Sequence, residues 1–255
     1  MRLLHGSLGA VVALTCLLVS CTDDPLSGDG PLQSVDATGD APTSASVRYE
    51  FELTGLGDEN RHELTRPVPV GRAAAITVSL SSRGEAIEIG LEATVTDAPA
   101  DGSNQIIELV VVRLDADDVE TIAGLAAILD ASSTLLRDER LAVVEQTLDV
   151  PAGLSFRADA VARQALRAPF ALTGPLALRP VGTGAEWTVE TIEDGVVAEI
   201  RRALVTKSSS EGYVISFAVP EGTVEMSGRA GELLPDEQVI TLDDAVLTVT
   251  AERIV

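Results

Sequence analysis

Four separate runs between residues 47 and 114 carry apolar side chains at every second position, and this period-two pattern confines the chain to a strand-rich fold. Val47, Tyr49, Phe51 and Leu53 fall on one face of a strand, with Arg48, Glu50 and Glu52 on the other. The alternation returns over 73–80 (Ala74, Ile76, Val78, Leu80), over 86–96 (Ile87, Ile89, Leu91, Ala93, Val95) and over 106–114. Ser81-Ser82-Arg83-Gly84 and the Pro-, Gly- and Asp-rich stretch 97–104 supply turns. Half-buried strands in succession at hairpin spacing predict an antiparallel meander. The segment 58–71 is polar and broken by proline, and it places His62 in a loop as a solvated residue.

After residue 114 the period changes. Asp117 with Glu120 three positions on reads as a capping box, followed by Val119, Ile122, Ala126 and Leu129 at helical spacing. Residues 132–136 and 141–150 read as strands around Asp138-Glu139-Arg140. Ser155 is placed to cap a second helix that ends near Ala168, before Pro169. The apolar face of that helix is Ala158, Val161, Ala162 and Ala165, with Leu166 beside it; so small a face either packs very close to a sheet or leaves room beneath it. Further strands follow over 186–193, 196–206, 213–219, 222–230, 238–242 and 245–254. The chain thus reads as α+β, with a single β-rich domain over 46–255. In it a curved, mainly antiparallel, half-barrel-like sheet carries two helices, inserted mid-chain, on its concave or open side.

The first twenty residues set where such a domain is expected to live. Arg2 is followed by an apolar run from about Leu8 to Val19, too short to span a bilayer, which needs about 20 apolar residues. The run ends in Leu18-Val19-Ser20-Cys21. This tetrapeptide resembles the lipobox of bacterial lipoproteins. The resemblance implies a signal peptide over 1–20, recognition by the signal peptidase at Leu18, Val19 and Ser20, and acylation of Cys21. Export across the inner membrane and anchoring in the envelope by lipid on Cys21 follow. The outer membrane or cell surface is favoured over the inner membrane because Thr22, and not Asp23, stands next to the cysteine. Several acyl chains hold a protein on a membrane far better than one. Residues 22–45 are rich in Asp, Gly, Pro, Ser and Thr and read as a disordered tether. Such a tether has an r.m.s. span of roughly 25–30 Å.

Removing residues 1–20 takes away Arg2, His5 and Cys16 and leaves 17 basic against 40 acidic residues, a formal charge of −23. That surface repels nucleic acid, which is not expected as a partner. Cys21 is then the one cysteine and its sulfur is committed to lipid, so neither a disulfide nor a thiolate metal site is expected. His62 is the one histidine left, which disfavours a histidine zinc site and a Ser-His-Asp triad. No catalytic residue, cofactor or metal is expected, and the protein is not expected to be an enzyme. Asp115, Asp117 and Asp118 at a strand-to-helix junction are explained by capping more simply than by calcium. With four Phe, two Tyr and one Trp, sugar platforms are not expected. Arginine outnumbers lysine seventeen to one (Lys207 alone), which reads as codon bias.

Pro180-Val181-Gly182-Thr183-Gly184-Ala185-Glu186-Trp187 is the most motif-like stretch of the body. It lacks the Lys-Ser/Thr and the following helix of a phosphate loop, and reads as a tight turn feeding a strand whose Trp187 anchors the core. The pattern Pro-Val-Gly-x-Gly-Ala-x-Trp resembles one found in uncharacterised bacterial secreted and lipid-anchored proteins. The match covers Pro180, Val181, Gly182, Gly184, Ala185 and Trp187, while the upstream proline is displaced to Pro175. It extends loosely from Tyr49 to Val219, and that family implies no activity. The overall plan is similar to half-barrel carriers of lipid or lipoprotein acyl chains, a likeness of fold only. Two roles follow: a non-enzymatic binder or carrier of a hydrophobic small molecule, or a structural module that meets an envelope protein.

Overall fold

Among the described residues the alternating runs become twelve strands. In a computed structural model of the protein the described residues are 47–82, 85–98, 104–171, 174–193, 196–219, 222–242 and 245–254. Leu18, Val19, Ser20, Cys21 and the stretch 22–45 lie outside them. The strands are β1 (Val47–Leu56), β2 (Ala73–Ser82), β3 (Glu85–Asp97), β4 (Asn104–Ala116), β5 (Ser132–Asp138), β6 (Val143–Asp149), β7 (Ala185–Glu193), β8 (Val196–Ser209), β9 (Gly212–Val219), β10 (Gly222–Gly228), β11 (Glu237–Leu242) and β12 (Ala245–Ile254). Two helices, α1 (Val119–Leu125) and α2 (Phe156–Ala171), lie between strands in the middle of the chain, and a single 3-10 turn, Ala126–Ile128, extends α1.

The order across the sheet is β1-β7-β8-β9-β10-β11-β12-β2-β3-β4-β5-β6, and every pairing is antiparallel. Two meanders, β2–β6 and β7–β12, are joined where β12 pairs with β2. The expectation of a run of neighbouring hairpins fails at one point. β1 does not pair with β2 but crosses to β7, because the polar loop 58–71 is long enough to carry the chain across. A flat sheet of twelve strands would separate its edges by about 50 Å. Instead β1 and β6 bring Cα atoms within 8 Å of each other. No ladder joins them among the described residues, so the sheet is strongly curled but open.

The inward face carries the alternating residues: Ile76 and Val78, Ile89 and Leu91, Ile107 and Leu109, Ile215 and Phe217, Leu247 and Val249 are all buried. α2 fills the concave side and lies against β2, β4 and β6. Its small face, Ala158, Val161, Ala162, Ala165 and Leu166, is wholly buried, so the close-packing alternative holds. Ser155 caps it, its Oγ accepting from Ala158 N at 3.2 Å. The helix does not stop before Pro169 but runs through it to Ala171. The Pro169 carbonyl finds a donor in the side chain of Gln238, at 2.9 Å. The cap of α1 is Asp118, not Asp117. Its carboxylate accepts from Glu120 N (2.7 Å) and Thr121 N (3.1 Å); the Thr121 side chain, followed by these backbone bonds, holds its pKa below the usual carboxylate range. Val119, expected on the apolar face, is exposed, and Leu125 and Ile128 take that place. Leu141 is a turn residue with φ 64°, not the start of a strand.

One polar cluster sits inside this apolar shell. Arg137 of β5 is fully buried. It donates through Nε (3.0 Å) and Nη2 (2.8 Å) to Oε1 of the buried Gln105, and through Nη1 to the Leu233 carbonyl. Gln105 Nε2 in turn donates to the Val68 carbonyl at 2.6 Å. The cluster ties the loop segments at Val68 and Leu233 to strands β4 and β5. Burial pulls the Arg137 guanidinium down to about 10, so it stays protonated at neutral pH. Burial also pushes the nearby Tyr213 phenol well above its ordinary range.

Candidate functional site

The seam where the sheet fails to close opens into a cleft of about 650 Å³. Three chain segments build it. Edge strand β1 and its exit contribute Phe51, Leu53, Thr54, Gly55, Leu56, Gly57 and Arg61. The β5–β6 turn contributes Arg140, and the segment after α2 contributes Ala177, Leu178 and Arg179. A cleft of this volume lies within the range of small-molecule sites, about 300–1,000 Å³.

The glycine motif fixes the first wall. Asp58 N donates to the Thr183 carbonyl and Gly182 N to the Leu56 carbonyl, both at 2.9 Å. His62 and Val181 exchange both backbone bonds, each at 2.9 Å. His62 is therefore a half-buried bridge residue, not the solvated loop residue expected from its polar neighbours. Ser208 holds the motif from behind, its Oγ donating to the Val181 carbonyl at 3.0 Å. A Cβ on Gly182 would lie 2.6 Å from the Asp58 carbonyl oxygen and closer still to its carboxylate. A Cβ on Gly184 meets nothing, and that residue is glycine because its φ is +84°. Gly182→Ala is therefore expected to cost about 2–3 kcal/mol by forcing the 56–62 loop off the motif. Gly184→Ala should cost only about 1 kcal/mol, from backbone strain alone. Urea midpoints of the two variants check this, and equal losses would refute the packing role given to Gly182.

The second wall is a tight turn. Asp138 Oδ1 accepts from Arg140 N and Ala142 N, both at 2.9 Å. Burial raises the pKa of this carboxyl, and those two backbone N–H groups oppose the shift. The turn presents Arg140 over the Phe51 ring, 4.5 Å from its centroid. Phe51 rests in turn on the buried Trp187, ring centroids 6.1 Å apart. Trp187 thus anchors the core as expected, at 1% exposure. The third wall is stitched to the second: Leu176 N donates to the Arg140 carbonyl (2.8 Å) and Arg140 Nη1 donates to the Leu176 carbonyl (3.3 Å). Gly174 lets this segment approach, since a Cβ there would lie 2.6 Å from the Leu141 carbonyl carbon.

Known proteins add little to this geometry. No protein-family profile matches the chain, and no curated protein matches it. A solved structure of a DUF1329 family protein from Desulfovibrio piger resembles it distantly. The TM-score is 0.43 at 9% identity, over 72% of this chain and 84% of that one. The likeness assigns this chain no activity and no ligand.

Among the sequence-stretch candidates, the structure gathers only the glycine motif and Trp187 beside the cleft. Asp115 and Asp117 lie at the end of β4 and beyond it, and no group of three metal-ligating side chains occurs among the described residues. Arg61, Arg140 and Arg179 are the residues that sequence reading passed over. Their one sequence signal is position: each sits in or beside a turn, next to a segment that the motif or the Asp138 turn holds still.

Proposed function

We propose that this chain is a non-enzymatic, lipid-anchored protein of the cell envelope that holds or carries a hydrophobic ligand in the seam cleft. The observation that carries this proposal is the cleft itself, about 650 Å³, whose lining includes Phe51, Leu53, Leu56 and Leu178 beside Arg61, Arg140 and Arg179. A sheet that curls until its edges are neighbours yet leaves them unjoined keeps an entrance that a closed barrel would lack. Anchoring through Cys21, with Leu18, Val19 and Ser20 as the processing signal, rests on the lipobox-like tetrapeptide.

The test is native mass spectrometry of the polypeptide from residue 21 onward, followed by solvent extraction. A co-purifying apolar molecule, lost on extraction and regained from a lipid mixture, is the expected result. A bare polypeptide mass together with no uptake of a fluorescent fatty acid would overturn carriage and leave the role of an envelope interaction module.

A further inference from the structure

We propose that the cleft takes an amphipathic anion, a single acyl chain ending in a carboxylate or phosphate, with the head held by Arg61, Arg140 and Arg179. This inference rests on the carriage reading above and names the ligand class. The first ground is charge contrast. The chain carries 40 acidic and 18 basic residues, yet the cleft lining holds three arginines and no acid. Asp58, Glu59, Asp138 and Glu139 stand beside it in sequence, and Asp138 lies close enough to Arg140 to feel its charge, but none of them lines the cleft. A surface this negative repels anions in general. Screening confines that repulsion to about 10 Å at ordinary ionic strength, so a local arginine cluster can still reverse it.

The second ground is the state of the donors. Among the described residues none of the three guanidinium groups forms an ion pair within 4 Å. Arg61 spends Nε on the Asp58 carbonyl at 3.2 Å, and Arg140 spends Nη1 on the Leu176 carbonyl. Those two bonds restrain the two side chains and leave their other guanidinium N–H groups available to a ligand. Arg179 is exposed and makes no side-chain hydrogen bond among the described residues. A guanidinium fork matches a carboxylate or phosphate with two parallel hydrogen bonds. A wholly apolar ligand would have to desolvate these three charges and return nothing for them. An anion with an acyl chain satisfies the arginines and still covers Phe51, Leu53 and Leu178.

The experiment uses the whole polypeptide from residue 21 with Cys21→Ser, so that its own lipid does not compete. Dodecanoate, dodecyl phosphate, dodecanol and inorganic phosphate are titrated by calorimetry. In parallel a bromine-labelled acyl chain is used to quench Trp187, the one tryptophan, which touches cleft-lining Phe51. The anionic amphiphiles should bind at least about tenfold more tightly than dodecanol, with the gap shrinking as salt is raised. Arg179→Gln, at an exposed position, should weaken both anions about fivefold and leave dodecanol unchanged. Tighter binding of dodecanoate points to fatty acids as the source, and tighter binding of dodecyl phosphate to a phosphate headgroup. Dodecanol binding as tightly as the anions would overturn the charge inference and leave carriage standing. Inorganic phosphate binding as tightly as dodecyl phosphate would also overturn it, by removing the acyl chain from the site. Binding by none of the four would remove both.

Discussion

Gln105→Leu is expected to destabilise the protein by about 3 kcal/mol or more, a larger loss than Arg137→Met, although the glutamine is neutral and the arginine is charged. Gln105 Oε1 takes two of the three hydrogen bonds that Arg137 makes. Without it, a fully buried cation keeps only the Leu233 carbonyl, and the Val68 carbonyl loses its donor as well. An uncompensated buried charge is among the most costly defects a core can hold. Arg137→Met instead leaves neutral groups unpaired, at about 1–3 kcal/mol, and its straight apolar side chain fills much of the space. The double variant should be more stable than Gln105→Leu alone, because removing the cation removes the defect. Urea unfolding of the wild type, both single variants and the double variant closes the cycle. A Gln105→Leu loss smaller than that of Arg137→Met would show that another acceptor takes over the guanidinium N–H groups.

Strands, unlike the site, were legible because a half-covered sheet writes its period directly into the chain. Ile87 to Val95 and Ala74 to Leu80 could hardly be read otherwise, and both runs are inward faces of the curl. Neighbours across the sheet were less legible. A hairpin announces itself through a short turn, but the pairing of β1 with β7 joins residues such as Phe51 and Val189, more than a hundred positions apart. No local signal encodes that ladder. Its only trace is the pair of glycines at 182 and 184, whose need becomes plain once the 56–62 loop lies on them.

The arginines were illegible for a different reason. In a chain with seventeen of them, any one reads as a solvated surface residue. What distinguishes Arg61, Arg140 and Arg179 is that all three line one cleft and that no acid lines it with them, and both are properties of the folded chain. The helix termini show a milder form of the same limit. Asp117 and Asp118 are equally good caps on paper, and only the backbone decides which carboxylate reaches Glu120 N and Thr121 N. Likewise a proline reads as a stop, yet α2 continues through Pro169 with Gln238 supplying a donor to its carbonyl.

Trp187→Ala is expected to cost about 3–5 kcal/mol, a large share of the roughly 5–15 kcal/mol that holds an ordinary domain folded. The indole is the largest fully buried side chain described, and it supports the Phe51 ring from beneath. Its removal leaves a void at the root of β1, the one edge strand that lines the cleft. Phe51 is only half-buried and is free to tip into that void, carrying away the ring over which Arg140 sits. Acyl-chain affinity should therefore fall even at temperatures where the variant is fully folded. Trp187→Phe separates the two effects. The indole N–H is buried with no acceptor among the described residues, so losing it relieves a cost of about 1–3 kcal/mol. That gain offsets most of the transfer energy lost with the smaller ring, and the net change should stay within about 1 kcal/mol while a ring remains under Phe51. Thermal and urea unfolding followed by far-ultraviolet circular dichroism, with dodecanoate calorimetry on the folded variants, measures both quantities. An alanine variant that lost stability yet bound dodecanoate unchanged would detach the cleft from its aromatic floor.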